Sequence, residues 1–339
     1  MIGRIYRLMD TKRIEMIQRE VNLGLNEILA KPDFLSICAA DQRYYFGRRR
    51  REVLNKKLPM ALIHEATATV LYDKNGKLPV GSKVVLVPLI EENQADGLKA
   101  NYNPQNPFMS SGVDGFMRDF VATAYSGVIP VAGDYSVVYV FCEMISVVFN
   151  ALEAFEKSRV TKNETVGVWG DGSMSYVVSL VLRCLYPDMK ILVFGKTQRK
   201  MQRFSFVNKT YNIDKVPQNL HIDHCFECVG EKNSEAAIKQ ILKMIAPQGC
   251  VSLLGVSEEA VVINTRTVLD KGLKLIGSSR SDAKDMKKAM ELIQSSDVCR
   301  KYLEILISEK IKVKNEKDMV HAFEQSSLND FKTVIKWEI

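Results

Sequence analysis

Four histidines, two tryptophans and seven cysteines in 339 residues leave little material for several kinds of chemistry. The cysteines are scattered and odd in number, which is not the spacing of a secreted disulfide framework. In a reducing compartment they read as small buried apolar groups, with a metal ligand available among them. No apolar run looks long enough to cross a bilayer. The opening MIGRIYRLMDTKRIEMIQREV lacks the apolar stretch and small-residue cleavage site of a secretory signal. A cytoplasmic protein without a membrane partner is the expectation. Internal repeats and low-complexity tracts are missing too. The net charge is +7, but the basic residues are spread along the chain and no aromatic-interleaved basic patch or nucleic-acid motif accompanies them. The surplus suits a phosphorylated small molecule better than nucleic acid.

What is present divides in two. Up to about Val140 the chain is β-rich, with short runs such as GSKVVLVPL and FMRDFVAT separated by Gly, Pro, Asn and Asp. The polar, turn-rich stretch 91–107 reads as a surface loop. From about residue 143 the texture changes. EMISVVFNALEAFEKS has helical periodicity. Apolar runs (ETVGVWG, KILVFG, HIDHCFECVG, GCVSLLGV, GLKLIGSS) then alternate with amphipathic segments (MSYVVSLVLRCLYP, QRKMQRFSFV, SEAAIKQILKMIAP). Strand and helix in alternation is the pattern of a doubly wound α/β domain with a parallel sheet. The tail from about Asp282 reads as helical and closes on a last strand, DFKTVIKWEI.

The run VGVWGDGSMSYVVSL places Gly170-Asp171-Gly172-Ser173-Met174-Ser175 between an apolar strand and an apolar helix. The first glycine permits the tight turn and the second lets a pyrophosphate approach the backbone. The third position allows close helix–strand packing, and Ser175, small though not glycine, still fits it. The following helix N-terminus offers N–H donors to phosphate, which places Ser173 and Met174 beside the cofactor. The next strand, KILVFGKTQRK, ends on Gly195 where an NAD site would set Asp or Glu on the ribose. Glycine followed by Lys196, Arg199 and Lys200 leaves room for a 2′-phosphate and attracts it, so NADPH is the expected cofactor. Gly230 and Gly255, after the later strands, are further candidates for lining it.

Candidate metal ligands are dispersed. Cys38 lies in FLSICAADQRYY, His64 and Glu65 end the run LPMALIHE, and Glu143 opens a helix. Thiolate, imidazole and carboxylate suit zinc. Spacing alone leaves the matter open, since a lone cysteine in an apolar segment is ordinarily core and a His-Glu pair is ordinarily hydrogen-bonded. His221, His224, Cys225 and Cys228 resemble a second cluster, but on a strand successive side chains point to opposite faces, so a structural role is expected there.

SICAADQRYY, LPMALIHEATATV, GSKVVLVP, GVDGFMRDF, EMISVVFNAL and VWGDGSMSY together resemble, in order and spacing, the zinc-dependent medium-chain dehydrogenases of alcohols and polyols. The resemblance covers essentially the whole chain. Within that family, CxADQRYY…LNKKLPMAxIHE, VFGK and GSSRS look most like the ribulose-5-phosphate reductases, also called ribitol-5-phosphate dehydrogenases. The resemblance implies a GroES-like catalytic domain, 1–142 completed by 285–339, around a Rossmann NADP(H) domain, 143–284. It implies one catalytic zinc on Cys38, His64 and one or both of Glu65 and Glu143. Residues 91–115 contain no cysteine, so the second, structural zinc of many relatives is not expected. Ile63 and Ala39 replace glycines common in the family, which should alter local packing more than ligand chemistry.

The implied reaction is NADPH-dependent reduction of D-ribulose 5-phosphate to D-ribitol 5-phosphate, supplying CDP-ribitol for teichoic acid or capsule. Arg43 and Arg280 are the candidates for the substrate phosphate, and Asp41 and Ser36 for structural hydrogen bonds near the site. A homodimer and functional coupling to a ribitol-5-phosphate cytidylyltransferase are also implied. The alternatives are a zinc dehydrogenase of another polyol or alcohol, and a zinc-free, non-catalytic scaffold of the same fold.

Overall fold

The computed structural model describes residues 1–92, 97–160 and 164–339. The chain forms two units, one of Met1–Ser146 with Ser281–Ile339 and the other of Val147–Arg280. Part of the loop read at 91–107, residues 93–96, lies outside the described residues. In the rest of that loop Asn101, Asn103 and Asn106 are buried rather than at the surface. Their amides make turns internally: Gln105 N–H donates to Asn103 Oδ1 at 3.0 Å and Asn106 Nδ2 to the Ala100 carbonyl at 3.1 Å.

The first unit begins with strands β1 (Ile2–Asp10), β2 (Arg13–Glu20) and β3 (Glu27–Ser36), then helices α1 (Ala39–Tyr45) and α2 (Arg51–Lys57). Strands β4 (Met60–Ala61), β5 (Glu65–Asp73), β6 (Lys83–Leu86), β7 (Val121–Ala124) and β8 (Val128–Pro130) follow. Helix α3 (Cys142–Glu156) runs on into the second unit.

The second unit holds β9 (Thr165–Trp169), α4 (Ser173–Leu185), β10 (Lys190–Gly195), α5 (Gln198–Met201), β11 (Lys209–Asn212), β12 (His224–Glu227), α6 (Ser234–Met244), β13 (Cys250–Leu253), α7 (Thr265–Lys271) and β14 (Lys274–Gly277). The chain returns to the first unit through α8 (Ala283–Ser295), α9 (Asp297–Leu306), β15 (Ile307–Val313), α10 (Glu316–Ser326) and β16 (Lys332–Trp337). Strand β15 was not anticipated. Its sequence ISEKIKV alternates apolar and charged residues, and it lies parallel to β16 in a tail read as helical up to its last strand.

A seven-stranded sheet, β15-β16-β3-β5-β6-β8 with β7 also on β3, and a three-stranded sheet, β2-β1-β4, enclose the first core. That core includes Ile5, Tyr45, Leu62, Ile63, Phe116 and Phe323. The second unit is a six-stranded sheet ordered β11-β10-β9-β12-β13-β14, with every recorded pairing parallel. This is the doubly wound dinucleotide topology, whose strand order reverses beside β9, at the strand ends where such folds bind their ligands. Its core has Trp169 stacked on Phe194, with Ile222, Ile241 and Val251 packed around them.

The continuous helix Val137–Glu156 is long and apolar enough to cross a membrane, contrary to the reading of the sequence. Most of it is buried inside the protein. It has the character of a core helix, and its apolar length reflects burial on several sides.

Candidate active site

Backbone geometry decides where the ligand-type side chains go. Cys38 precedes α1 in extended conformation, and the helix folds back on it. Asp41, in the first turn of α1, is fully buried and accepts the Cys38 N–H at 3.0 Å. Its other oxygen accepts the Ile63 N–H at 3.0 Å and the Ser110 hydroxyl at 2.6 Å. One carboxylate thus ties the Cys38 loop to the His64 loop, and lies 3.7 Å from His64 Nδ1. That is the structural role expected of Asp41.

The His64 loop is held from its other side by residues 115–117. Gly115, Phe116 and Met117 donate backbone N–H bonds to the carbonyls of Ala61, Ile63 and Leu62 at 2.7, 2.8 and 3.3 Å. A Cβ on Gly115 would lie 2.4 Å from two of those carbonyl oxygens, so only glycine permits the approach. Ile63 sits at φ +70°. That is the left-handed region, in which a β-branched residue is strained. Isoleucine here therefore bears on backbone energetics as well as packing.

The outcome is a cluster. Cys38, His64 and Glu65 each offer a ligand atom, all within 4.8 Å of one another. His64 and Glu65 are buried. His64 Nδ1 and Glu65 Oε2 make no hydrogen bond. Buried polar atoms without partners are costly, and a thiol, an imidazole and a carboxylate gathered this closely fit a cation of zinc's preferences.

Cys38 is half-buried as a residue, but its sulfur is dry enough that burial pushes the thiol up to about 11, against the pull of Lys332. Glu143 lies outside the three-residue set yet is buried and senses it. Burial pushes its carboxyl up to about 8, a shift that His64 opposes and that Glu65 and Cys38 reinforce.

Sequence reasoning missed Lys332. It opens β16, is only 5% exposed, and its Nζ lies 2.7 Å from Glu65 Oε1. Burial works against its charge, but Glu65 and Cys38 outweigh that, and its pKa is raised. The sheet explains the meeting. Ser36 of β3 pairs with Glu65 on one side and Val334 on the other, which brings the start of β16 to the start of β5. A lysine in a strand reads as exposed, so only the topology reveals this one.

Arg43, on α1 five residues beyond Cys38, is half-buried in the same unit. Arg280 is half-buried at the end of the second unit, at φ +57°. The second cluster does not assemble. His224 Nδ1 accepts the Cys250 N–H at 3.0 Å, His221 pairs with Asp223, and Cys225 is buried in the sheet.

In the second unit Gly170 turns at φ +121° directly after β9, and its N–H donates to the Phe194 carbonyl. Gly172 precedes α4, with open space where a Cβ would point, and Ser173 and Met174 begin the helix. That space fits the approach of a pyrophosphate. Ser175 is fully buried and returns a hydrogen bond to the Gly172 carbonyl.

Gly230 and Gly255 answer a different need. A Cβ on Gly230 would lie 2.8 Å from the Val256 carbonyl oxygen, and one on Gly255 2.4 Å from Glu227 Oε2. Glu227 is buried and accepts N–H bonds from Val229, Gly230 and Gly255, so it fixes both loops. Lys196 is exposed and Lys200 half-buried. At Gly195 the space where a Cβ would point is filled by Asp171, whose own Cβ would stand 2.7 Å away.

Comparison with known proteins adds to this geometry. Residues 204–295 match the zinc-binding dehydrogenase family. Ribulose-5-phosphate reductase 2 of Staphylococcus aureus (strain NCTC 8325 / PS 47) is 42% identical over 100% of both chains. The ribulose-5-phosphate reductase of Bacillus spizizenii (strain ATCC 23059 / NRRL B-14472 / W23) is 41% identical, again over 100% of both. The crystal structure of S. aureus TarJ in complex with NADPH superposes with a TM-score of 0.89 at 38% identity, covering 100% of each chain. Galactitol-1-phosphate dehydrogenase from Escherichia coli, 16% identical over 98% of this chain and 100% of that one, shares the fold with a TM-score of 0.82.

Proposed function

This chain belongs to the zinc-binding dehydrogenases and, among them, to the ribulose-5-phosphate reductases, and from that premise we propose that it reduces D-ribulose 5-phosphate to D-ribitol 5-phosphate with NADPH. The observation that carries the reading is the convergence of thiol, imidazole and carboxylate within 4.8 Å, in a chain 42% identical end to end to such a reductase. Cys38, His64 and Glu65 would hold one zinc ion, with Glu143 as the acidic side chain available to exchange with Glu65. When bound, zinc supplies a Lewis acid for the ketone oxygen and NADPH supplies the hydride.

The remaining work falls to the protein. Lys332 occupies one oxygen of Glu65 and leaves the other for the ligand set. Asp41 fixes the spacing of the two ligand loops. Arg43 and Arg280 are assigned to the substrate phosphate, for which a forked guanidinium is suited. Gly170, Gly172, Ser173 and Met174 receive the dinucleotide phosphates, and Lys196 and Lys200 its 2′-phosphate.

The product would feed CDP-ribitol synthesis for teichoic acid or capsule through a cytidylyltransferase. A homodimer is part of the same reading. The test is NADPH oxidation with ribulose 5-phosphate, ribulose and xylulose 5-phosphate, each with and without a chelator, alongside metal analysis. Ribulose 5-phosphate should be strongly preferred, at one zinc per chain. Equal rates with ribulose would point to a neutral-polyol dehydrogenase, and a zinc-free protein indifferent to chelation would point to a scaffold.

A further inference from the structure

A dinucleotide fold ordinarily reads the adenosine ribose with a carboxylate at the end of its second strand. Here that strand, β10, ends on Gly195, which has no side chain to offer. A carboxylate nevertheless stands at the place. Asp171, from the middle of the Gly170-Asp171-Gly172 turn, reaches across to the end of β10. Its Oδ2 accepts the backbone N–H of Lys196 at 2.8 Å and of Thr197 at 2.7 Å. A Cβ on Gly195 would lie 2.7 Å from Asp171 Cβ and 3.0 Å from Oδ2. Residue 195 is glycine because Asp171 lies over it.

Two consequences follow for a 2′-phosphate. The backbone donors of Lys196 and Thr197, suited to an anion, are already engaged by an internal one. A fixed negative charge also stands beside the cations Lys196, Arg199 and Lys200. Resting on the NADPH reading above, we infer that Asp171 is a specificity-determining residue that works against the phosphate. It supplies from the first glycine turn the ribose-side carboxylate that β10 lacks, and thereby holds the preference for NADPH over NADH below what the neighbouring cations would give.

The test is direct titration of nicotinamide fluorescence, which reads binding without turnover. Wild type is titrated with NADPH and NADH, followed by Asp171→Asn, which removes the charge but keeps an acceptor for the two N–H groups. The ratio of Kd for NADH to Kd for NADPH should rise about tenfold in the variant, by tighter NADPH binding. That gain should shrink at roughly half-molar salt. Asp171→Ser should move the ratio in the same direction, and serves if the asparagine variant folds poorly. An unchanged ratio, with both affinities equally reduced, would reduce Asp171 to a turn anchor and overturn the inference, as would a fall in the ratio. The underlying cofactor reading fails separately, on wild type alone, if NADH binds better than NADPH.

Discussion

At the scale of single residues, the site is a set of buried ionisable groups whose protonation burial shifts. Cys38 is the clearest case. With its thiol pushed up to about 11, it carries its proton at neutral pH and must lose it to ligate. Zinc affinity should therefore rise with pH, by about tenfold per unit, with close to one proton released. Calorimetry of zinc addition in buffers of different ionisation enthalpy measures that release, and its absence would argue against thiolate ligation. Cys38→Ser should abolish zinc retention and turnover while NADPH still binds, as metal analysis and fluorescence titration would report. Lys332 matters in the opposite way. Removing one partner of a buried ion pair leaves the other charge uncompensated, so Lys332→Met should cost the zinc-free protein about 3 kcal/mol. Zinc should restore part of that loss, because Glu65 then has a cation again. Urea unfolding with chelator and with zinc separates the two conditions. Cys38, His64 and Glu65 were left open by spacing and singled out only by the family resemblance, whereas nothing in the sequence distinguishes Lys332 from a surface lysine.

At the scale of elements, two loops and two strand ends build the site, and their contacts are mostly backbone. The segment 61–64 is clamped between Asp41 and the 115–117 stretch, with Ile63 held at φ +70°. Gly115→Ala forces a Cβ onto carbonyl oxygens that cannot swing aside. It should destabilise the protein by about 2 kcal/mol and weaken zinc binding by moving His64. Thermal melts and zinc titration of the variant check both, and an unaltered zinc affinity would show that the clamp does not position the ligand. The doubly wound unit was readable almost strand by strand, since parallel strands buried on both faces appear as unbroken apolar runs. The first unit was harder. Helices α1 and α2 have seven residues each, too few for a periodic signal, and β15 is charged on one face. That Asp171 lies over Gly195 was not legible, because a glycine records that space is needed, not what fills it.

At the scale of the molecule, the zinc-type ligands belong to the first unit and the glycine turn to the second. Chelation should lower the unfolding temperature without changing NADPH affinity, and a matching loss of dinucleotide binding would contradict that expectation. The charge of +7 should aid capture of an anionic substrate, so KM for ribulose 5-phosphate is expected to rise with ionic strength while kcat holds nearly steady. The first unit is also discontinuous, and its Glu65 pairs with Lys332, which lies far along the chain. During synthesis on the ribosome, residues 147–280 emerge complete while the earlier segment still lacks the strands that finish its sheet. The nascent N-terminal half must therefore wait, with an acidic group unneutralised, until nearly all of the polypeptide has been made.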